Sequence, residues 1–348
     1  MENNNEKPKR TELADVGEFG LIERLIQPNK YKEITTEKGI GDDAAVMFYG
    51  NNQRTVVSTD LLVEGIHFDL AYTPLRHLGY KAVSVNVSDI YAMNARPTQI
   101  TMSIAISNRF SVEALEEFYA GVYIACEHYG VDLVGGDTTS SRKGFIISVT
   151  ALGVAEAKDL VYRSGARVGD LVCTTGDLGG AYLGLQLLER EKQIFLENPN
   201  VQPDLEGKNY LVGRLLKPEA RKDMYEFLQK VQVKPTAMID ISDGLSSELH
   251  HICKASKVGV LIEEGLLGIA EDTFQQALAF NIDPITCALH GGEDYELLFT
   301  IDPKDAEKIK YELDIRIIGE IVPEKDGLQL QTKGGNFYPL TAQGFQHH

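Results

Sequence analysis

The sequence predicts an α/β (α+β) protein of two domains, on three observations. Runs with strand character and runs with helix character alternate along most of the chain. Its 348 residues suffice for two separate hydrophobic cores. Apolar strands run directly into acidic turns at four places. These are Gly39-Ile40-Gly41-Asp42-Asp43, Val56-Val57-Ser58-Thr59-Asp60, Leu133-Val134-Gly135-Gly136-Asp137 and Met238-Ile239-Asp240-Ile241-Ser242-Asp243-Gly244. Carboxylates placed at strand ends project from a common sheet edge.

Residues 1–12 are polar and predict a disordered tail. The first domain is expected over 13–155. It opens with a short amphipathic helix over 15–26, then strands over 44–49 and 55–60. Thr73-Pro74 predicts the start of a long helix, with Thr73 as N-cap and Pro74 in the first helical position. Leu78, Ala82, Val85 and Ile90 recur there at near-helical spacing, and Asn94-Ala95-Arg96-Pro97 ends it. A strand follows over 99–107. Ser111 caps a second helix through Leu115, Phe118, Val122 and Ala125, which Gly130 closes. Strands near 132–134 and 145–154 complete the domain.

The second domain is expected over 156–348. Its strands fall over 171–175, 259–263 and 296–300 and near 315–321 and 328–332. A glycine-punctuated helix starts at Gly179, and others lie near 209–216, 222–230, 272–279 and 304–313. The acidic strand-turn-helix occupies 238–256. Pro199 and Pro203, with their Asn and Asp neighbours, mark 197–207 as a loop.

The composition narrows the function. With 43% hydrophobic and 24% charged residues, the chain has the make-up of a soluble globular protein. A net charge of −17 argues against binding to nucleic acid or to an anionic membrane. The N-terminal segment lacks the apolar core of a signal peptide, and no stretch is apolar enough for a membrane span. Cys126, Cys173, Cys253 and Cys287 form no paired motif and read as reduced core residues of a cytoplasmic protein.

The acidic turns carry the chemistry. A lone Asp-Asp is ordinarily just a turn; four such segments in one chain reverse that reading. Clustered carboxylates repel unless a cation sits among them, and hard oxygen ligands suit Mg²⁺, which in open sites arrives with phosphate. Gly39-Ile40-Gly41-Asp42-Asp43 is not a dinucleotide loop, because its carboxylates would face the pyrophosphate. There is no Walker A loop and no His-Arg-Asp kinase loop. Asp89 lies within an otherwise apolar helix, so it is either solvated or buried with a partner, and its flanks favour burial. His67 follows a strand in Val63-Glu64-Gly65-Ile66-His67-Phe68; alone it reads as a surface loop residue. Gly291-Gly292-Glu293-Asp294-Tyr295-Glu296 pairs three acids with glycines that permit close backbone approach. Arg163 and Arg167 are among the few cations near an acidic centre, and either could neutralise a triphosphate.

Together these segments resemble the thiamine-monophosphate kinase family, a branch of the ATP-binding superfamily that includes aminoimidazole ribonucleotide synthetase and selenophosphate synthetase. The resemblance runs from residue 18 to Gly344-Phe345, in the family's order and approximate spacing. It implies the two-domain aminoimidazole ribonucleotide synthetase-like fold, with an N-terminal domain that dimerises. It implies several Mg²⁺ ions held by Asp43, Ser58, Thr59, Asp60, Asp89, Asp137, Asp240 and Asp243. Gly136, Asp137, Arg163 and Ser242 would contact ATP, and His67, Glu293 and Phe345 would contact thiamine monophosphate. Asp60, Asp240, Asp243 and Arg163 would serve the transfer itself. A homodimer is implied, with the N-terminal sheets of two subunits joined into a barrel. The chain departs from the family at the 197–207 loop and in its shortened terminal aromatic segment. Two alternatives stand beside this reading: another synthetase of the superfamily, and a non-catalytic nucleotide or metal sensor on the same scaffold.

Overall fold

The computed structural model describes residues 17–25, 31–50 and 52–341. The tail expected over 1–12 and the candidate Phe345 lie outside the described residues. Helix α1 (Gly17–Leu25) precedes strands β1 (Thr36–Lys38), β2 (Ala45–Met47) and β3 (Gln53–Val63). Helix α2 (Leu75–Ala92) leads to β4 (Arg96–Ile106), and α3 (Val112–Tyr129) leads to β5 (Asp132–Ser140) and β6 (Ile146–Glu156). These strands form one sheet in the order β1-β2-β3-β6-β4-β5, antiparallel except for the β4–β5 pair that α3 connects.

One face of this sheet is covered by α2 and α3. Ile147, Val149 and Ala151 alternate inward along β6 and are buried. Most of α2 is buried, because it packs on β6 and β3 on one side and on the second domain on the other. Its start differs from expectation. Pro74 holds the N-cap position with ψ 136°, and its carbonyl accepts the first helical N–H, from Leu78 at 3.0 Å. Thr73 is therefore not the cap; it is buried one residue earlier. Ser111 does cap α3, accepting from Ala114 N at 3.2 Å, and Gly130 ends it at φ 69°.

The second sheet has the order β13-β12-β9-β11-β7-β10-β8. Its strands are β7 (Leu171–Thr175), β8 (Ala237–Ile241), β9 (Gly259–Glu263), β10 (Glu296–Ile301), β11 (Ile315–Val322), β12 (Leu328–Gln331) and β13 (Phe337–Pro339). The helices around it are α4 (Gly180–Glu197), α5 (Asn209–Leu216), α6 (Lys222–Val231), α7 (Leu245–Ser256), α8 (Glu271–Ala279), α9 (Pro284–His290) and α10 (Ala306–Ile309). The helix expected over 304–313 is cut to a 3₁₀ turn and α10. Strands β1 and β13 and helix α9 were not expected. Asp283 caps α9 with Pro284 behind it, a signal present in the sequence but attached to only seven helical residues. All four cysteines are free and buried. Among the described residues no helix is long and apolar enough to cross a membrane.

Two of the four acidic turns are strand instead. β3 continues past Asp60 to Val63 because β6 pairs with it along its whole length. β5 continues past Gly135-Gly136-Asp137 to Ser140 because β4 stays in register with it. Gly136 tolerates that closeness as only glycine can: a Cβ there would lie 1.7 Å from Met102 O.

Candidate active site

The site lies on the seam between the domains. β3 presents Ser58 and Asp60 toward α2, which carries Asn86, Ser88 and Asp89 inward. Ser58 Oγ donates to Asp89 Oδ2, and Asp60 N donates to Asn86 Oδ1 at 3.1 Å. Across the seam, Ser88 Oγ donates to Asp240 Oδ2 at 2.6 Å, tying α2 to β8. The turn before β2 adds Asp43. Carboxylate oxygens of Asp43, Asp89 and Asp240 lie within 4.8 Å of one another.

Burial pushes the Asp43 carboxyl up to about 7 although Arg163 opposes the shift. Burial likewise raises Asp240 to about 6, with the charges of Asp60 and Asp243 adding to the push. Asp89 is raised well above the usual carboxylate range by burial and by Asp60. Asp43 Oδ2 is buried with no hydrogen-bond partner. Three crowded oxygen donors, one of them orphaned, fit a hard divalent cation such as Mg²⁺. Asp89 thus follows the buried alternative. Of the two candidate cations, Arg163 reaches the cluster: its guanidinium donates to Asp43 Oδ1 at 2.6 Å and its backbone N to Asp42 Oδ1 at 2.9 Å. Arg167 is exposed and takes no part in it.

Three predicted residues do not join this group within one chain. Asp60 is opposite Val149, Val149 opposite Met102, and Met102 opposite Gly136. Val149 and Met102 are buried under the helices, so this row faces them. Gly136 ends the row three strands from Asp60, on the order of 14 Å away. The next row, Leu61, Ser148, Ser103 and Asp137, points to the opposite, open face. Thr59 also faces that side, where its hydroxyl donates to Val149 O at 2.9 Å and accepts from Thr150 at 3.1 Å. The period of two along a strand separates the Thr59 and Asp137 side chains from Asp60.

A cavity of about 390 Å³ is walled by the 65–69 loop, Lys81 of α2, α4 and Glu293. His67 is more than a loop residue, since its Nδ1 accepts from Val63 N at 3.1 Å. Glu293 and Tyr295 have φ of 69° and 53°, so successive side chains of this turn diverge. Glu293 faces the cavity. Asp294 accepts from Gly179 N at 2.7 Å, at the start of α4. Glu296 binds Arg214 at 2.9 Å, and Arg221. The turn is laced to the acidic turn after β8: Glu293 N donates to Ser242 O at 2.7 Å and Tyr295 N to Ile241 O at 2.8 Å. Gly244, at φ 111°, lets α7 start against this lacing; a Cβ there would lie 3.0 Å from Gly291 O.

The sequence reading missed several cavity residues. Lys81 donates to Glu293 and to His67 O. Lys192 is held by Asp69 at 2.7 Å and by Glu189, to which Tyr72 also donates. Lys81 left one signal, a cation within the apolar body of a helix eight residues before Asp89.

Fold and site define a protein of the AIR synthase related class. Sequence models of the AIR synthase related protein N-terminal and C-terminal domains match residues 41–155 and 167–331. Within that class the chain belongs to the thiamine-monophosphate kinase family. It is 38% identical over 322 residues to thiamine-monophosphate kinase of Buchnera aphidicola subsp. Schizaphis graminum, covering 91% of this chain and 94% of that one. It is 36% identical to that of Aquifex aeolicus, covering 92% and 98%. The solved structure named AaThiL complexed with AMPPCP and TMP superposes with a TM-score of 0.80 at 34% identity, covering 97% of this chain and 99% of that one. The hydrogenase maturation protein HypE shares the fold at 18% identity with a TM-score of 0.68, over 84% of this chain and 87% of that one.

Proposed function

We propose that the chain transfers the γ-phosphoryl group of ATP to the phosphate of thiamine monophosphate, forming thiamine diphosphate and ADP. The observation that carries this reading is the lacing of Glu293 and Tyr295 to Ser242 and Ile241, which ties the cavity residue Glu293 to the strand end and turn that carry Asp240 and Asp243. Mg²⁺ held by Asp43, Asp60, Asp89, Asp240 and Asp243 would neutralise the triphosphate charge. The chain's own residues hold the two substrates. Arg163 stands at the carboxylate edge to meet phosphate, and Ser242 is fixed by its bond to Glu293 N. Glu293 offers a carboxylate to the thiazolium, and His67 walls the same cavity. The acceptor phosphate is largely dianionic near neutral pH, with a second pKa of about 6, so it needs no general base. Alignment of the two polyanions is the main demand.

The reading extends to the assembly and its setting. Two domains divide after residue 155, and the enzyme acts in the cytoplasm. Two chains pair through the open face of the first sheet and its exposed edge strand β5. Gly136 and Asp137 of one chain then serve the nucleotide held by the other.

Incubation with Mg²⁺, ATP and thiamine monophosphate should yield ADP and thiamine diphosphate in equal amounts, followed by coupled ADP release and chromatography. Free thiamine should give no appreciable product, because its neutral hydroxyl is a far weaker nucleophile than the phosphate dianion. ADP release without thiamine diphosphate, or thiamine as the better substrate, would overturn the reading.

A further inference from the structure

The acceptor cavity contains a buried ion pair of which one member, Lys81, has no part in the phosphoryl transfer described above. Lys81 on α2 is 2% exposed, donates to the Glu293 carboxylate, and reaches His67 O at 3.3 Å. A desolvated Lys–Glu pair is a weak way to hold a fold together, since a well-packed apolar pair does as well. Both residues line the cavity, so both charges face whatever enters it. Thiamine monophosphate carries the mirror image of this pair, a cationic thiazolium and a dianionic phosphate on one short linker.

Lys81 also shares helix α2 with the carboxylate Asp89. Eight residues separate it from Asp89 on the same helix, about 12 Å along the axis. The cavity's other lysine, Lys192, is already matched by Asp69 and Glu189.

We propose that the acceptor enters by exchanging partners with this pair. The thiazolium takes Glu293, the monophosphate takes the Lys81 ammonium, and Lys81 thereby selects a phosphorylated acceptor over the free alcohol. The assignment rests on the acceptor proposed above. Free thiamine supplies only the cation, so its entry parts Lys81 from Glu293 and offers the ammonium nothing in return.

Calorimetric titration of the intact protein with thiamine monophosphate and with thiamine tests this. Lys81→Met should weaken thiamine monophosphate by about a hundredfold. The same change should leave thiamine bound as tightly or more tightly, because Glu293 loses its competing cation. Lys81→Arg should restore most of the affinity for the monophosphate. Equal weakening of both ligands makes Lys81 a prop for the cavity wall, and unchanged monophosphate affinity puts the phosphate elsewhere; either result overturns the proposal. Lys81→Met strands a carboxylate, so the change is repeated in a Glu293→Gln background, with binding of a magnesium–ATP analogue reporting that the site is intact. The loss of monophosphate affinity should persist there, relative to Glu293→Gln alone, and its disappearance also overturns the proposal. A wild-type protein that forms no thiamine diphosphate would instead remove the acceptor assignment itself.

Discussion

Asp43, Asp89 and Asp240 bring oxygens within 4.8 Å of one another, although like charges at that range repel strongly. Such a group is stable only protonated or metal-bound, which yields two expectations. Asp240→Asn removes a charge from the cluster and Asp60→Asn removes one beside it, each while preserving shape. Each should lower kcat/KM by about a thousandfold with the fold intact by circular dichroism, and near-normal turnover at saturating Mg²⁺ would contradict the metal role. The second expectation concerns pH. Asp43 and Asp240 are raised to about 7 and about 6, above their unfolded values. The folded protein therefore binds more protons than the unfolded chain between about pH 4 and pH 7. Without metal, these groups favour folding as pH falls through that window and oppose it as pH rises. Mg²⁺ displaces the protons, so it should raise Tm more at pH 8 than at pH 6. Thermal melts with and without Mg²⁺ at both values check this, and equal shifts would count against it.

At the scale of elements, the turn before β10 is fixed from behind by a buried ionic network. Arg214 binds Glu296 at 2.9 Å, donates to Asp177 O at 2.9 Å, and lies 3.4 Å from Asp294. Arg214→Met leaves two buried carboxylates short of a cation. It should cost about 3 kcal/mol in denaturant unfolding and raise KM for thiamine monophosphate more than KM for ATP, because Glu293 sits on the loosened turn. An unchanged midpoint would mean that Arg221 alone holds Glu296. The sequence made some of these elements plain and hid others. β7, α5 and β9 carry local pattern bounded by breakers, and their residues match those expected. β3 and β5 were cut short, because Ser58-Thr59-Asp60 and Gly135-Gly136-Asp137 look like turns until their strand partners are known. The acids of the site were legible as residue types, but the face each one takes was not. Thr59 and Asp60 are neighbours in sequence and project to opposite sides of one sheet. Lys81 escaped notice for the same reason of distance, since its partner Glu293 lies 212 residues away.

On the whole-molecule scale, the geometry of one chain leaves Asp137 and Asp60 on opposite faces of the first sheet, three strands apart. If both serve one reaction, they must come from different chains. Edge strand β5 is exposed along nearly all of its length, as a strand kept for a partner would be. Sedimentation should accordingly give twice the 38.5 kDa chain mass. A sharper test combines two inactive variants. In Asp60→Asn and in Asp137→Asn homodimers every site is defective, whichever chain supplies each residue. In a mixed dimer the outcome depends on how the sites are built. Sites drawn from a single chain remain defective in both halves. Shared sites sort differently: one collects both substitutions, and the other collects two native aspartates. Random pairing makes half of the dimers mixed, each with one working site of two, so co-expressed variants should recover about one quarter of wild-type activity. Recovery near that level, rising to about one half in dimers isolated by two different tags, supports a site completed across the interface. Activity no higher than that of the separate variants would place each site within its own chain and leave Asp137 without a part in it.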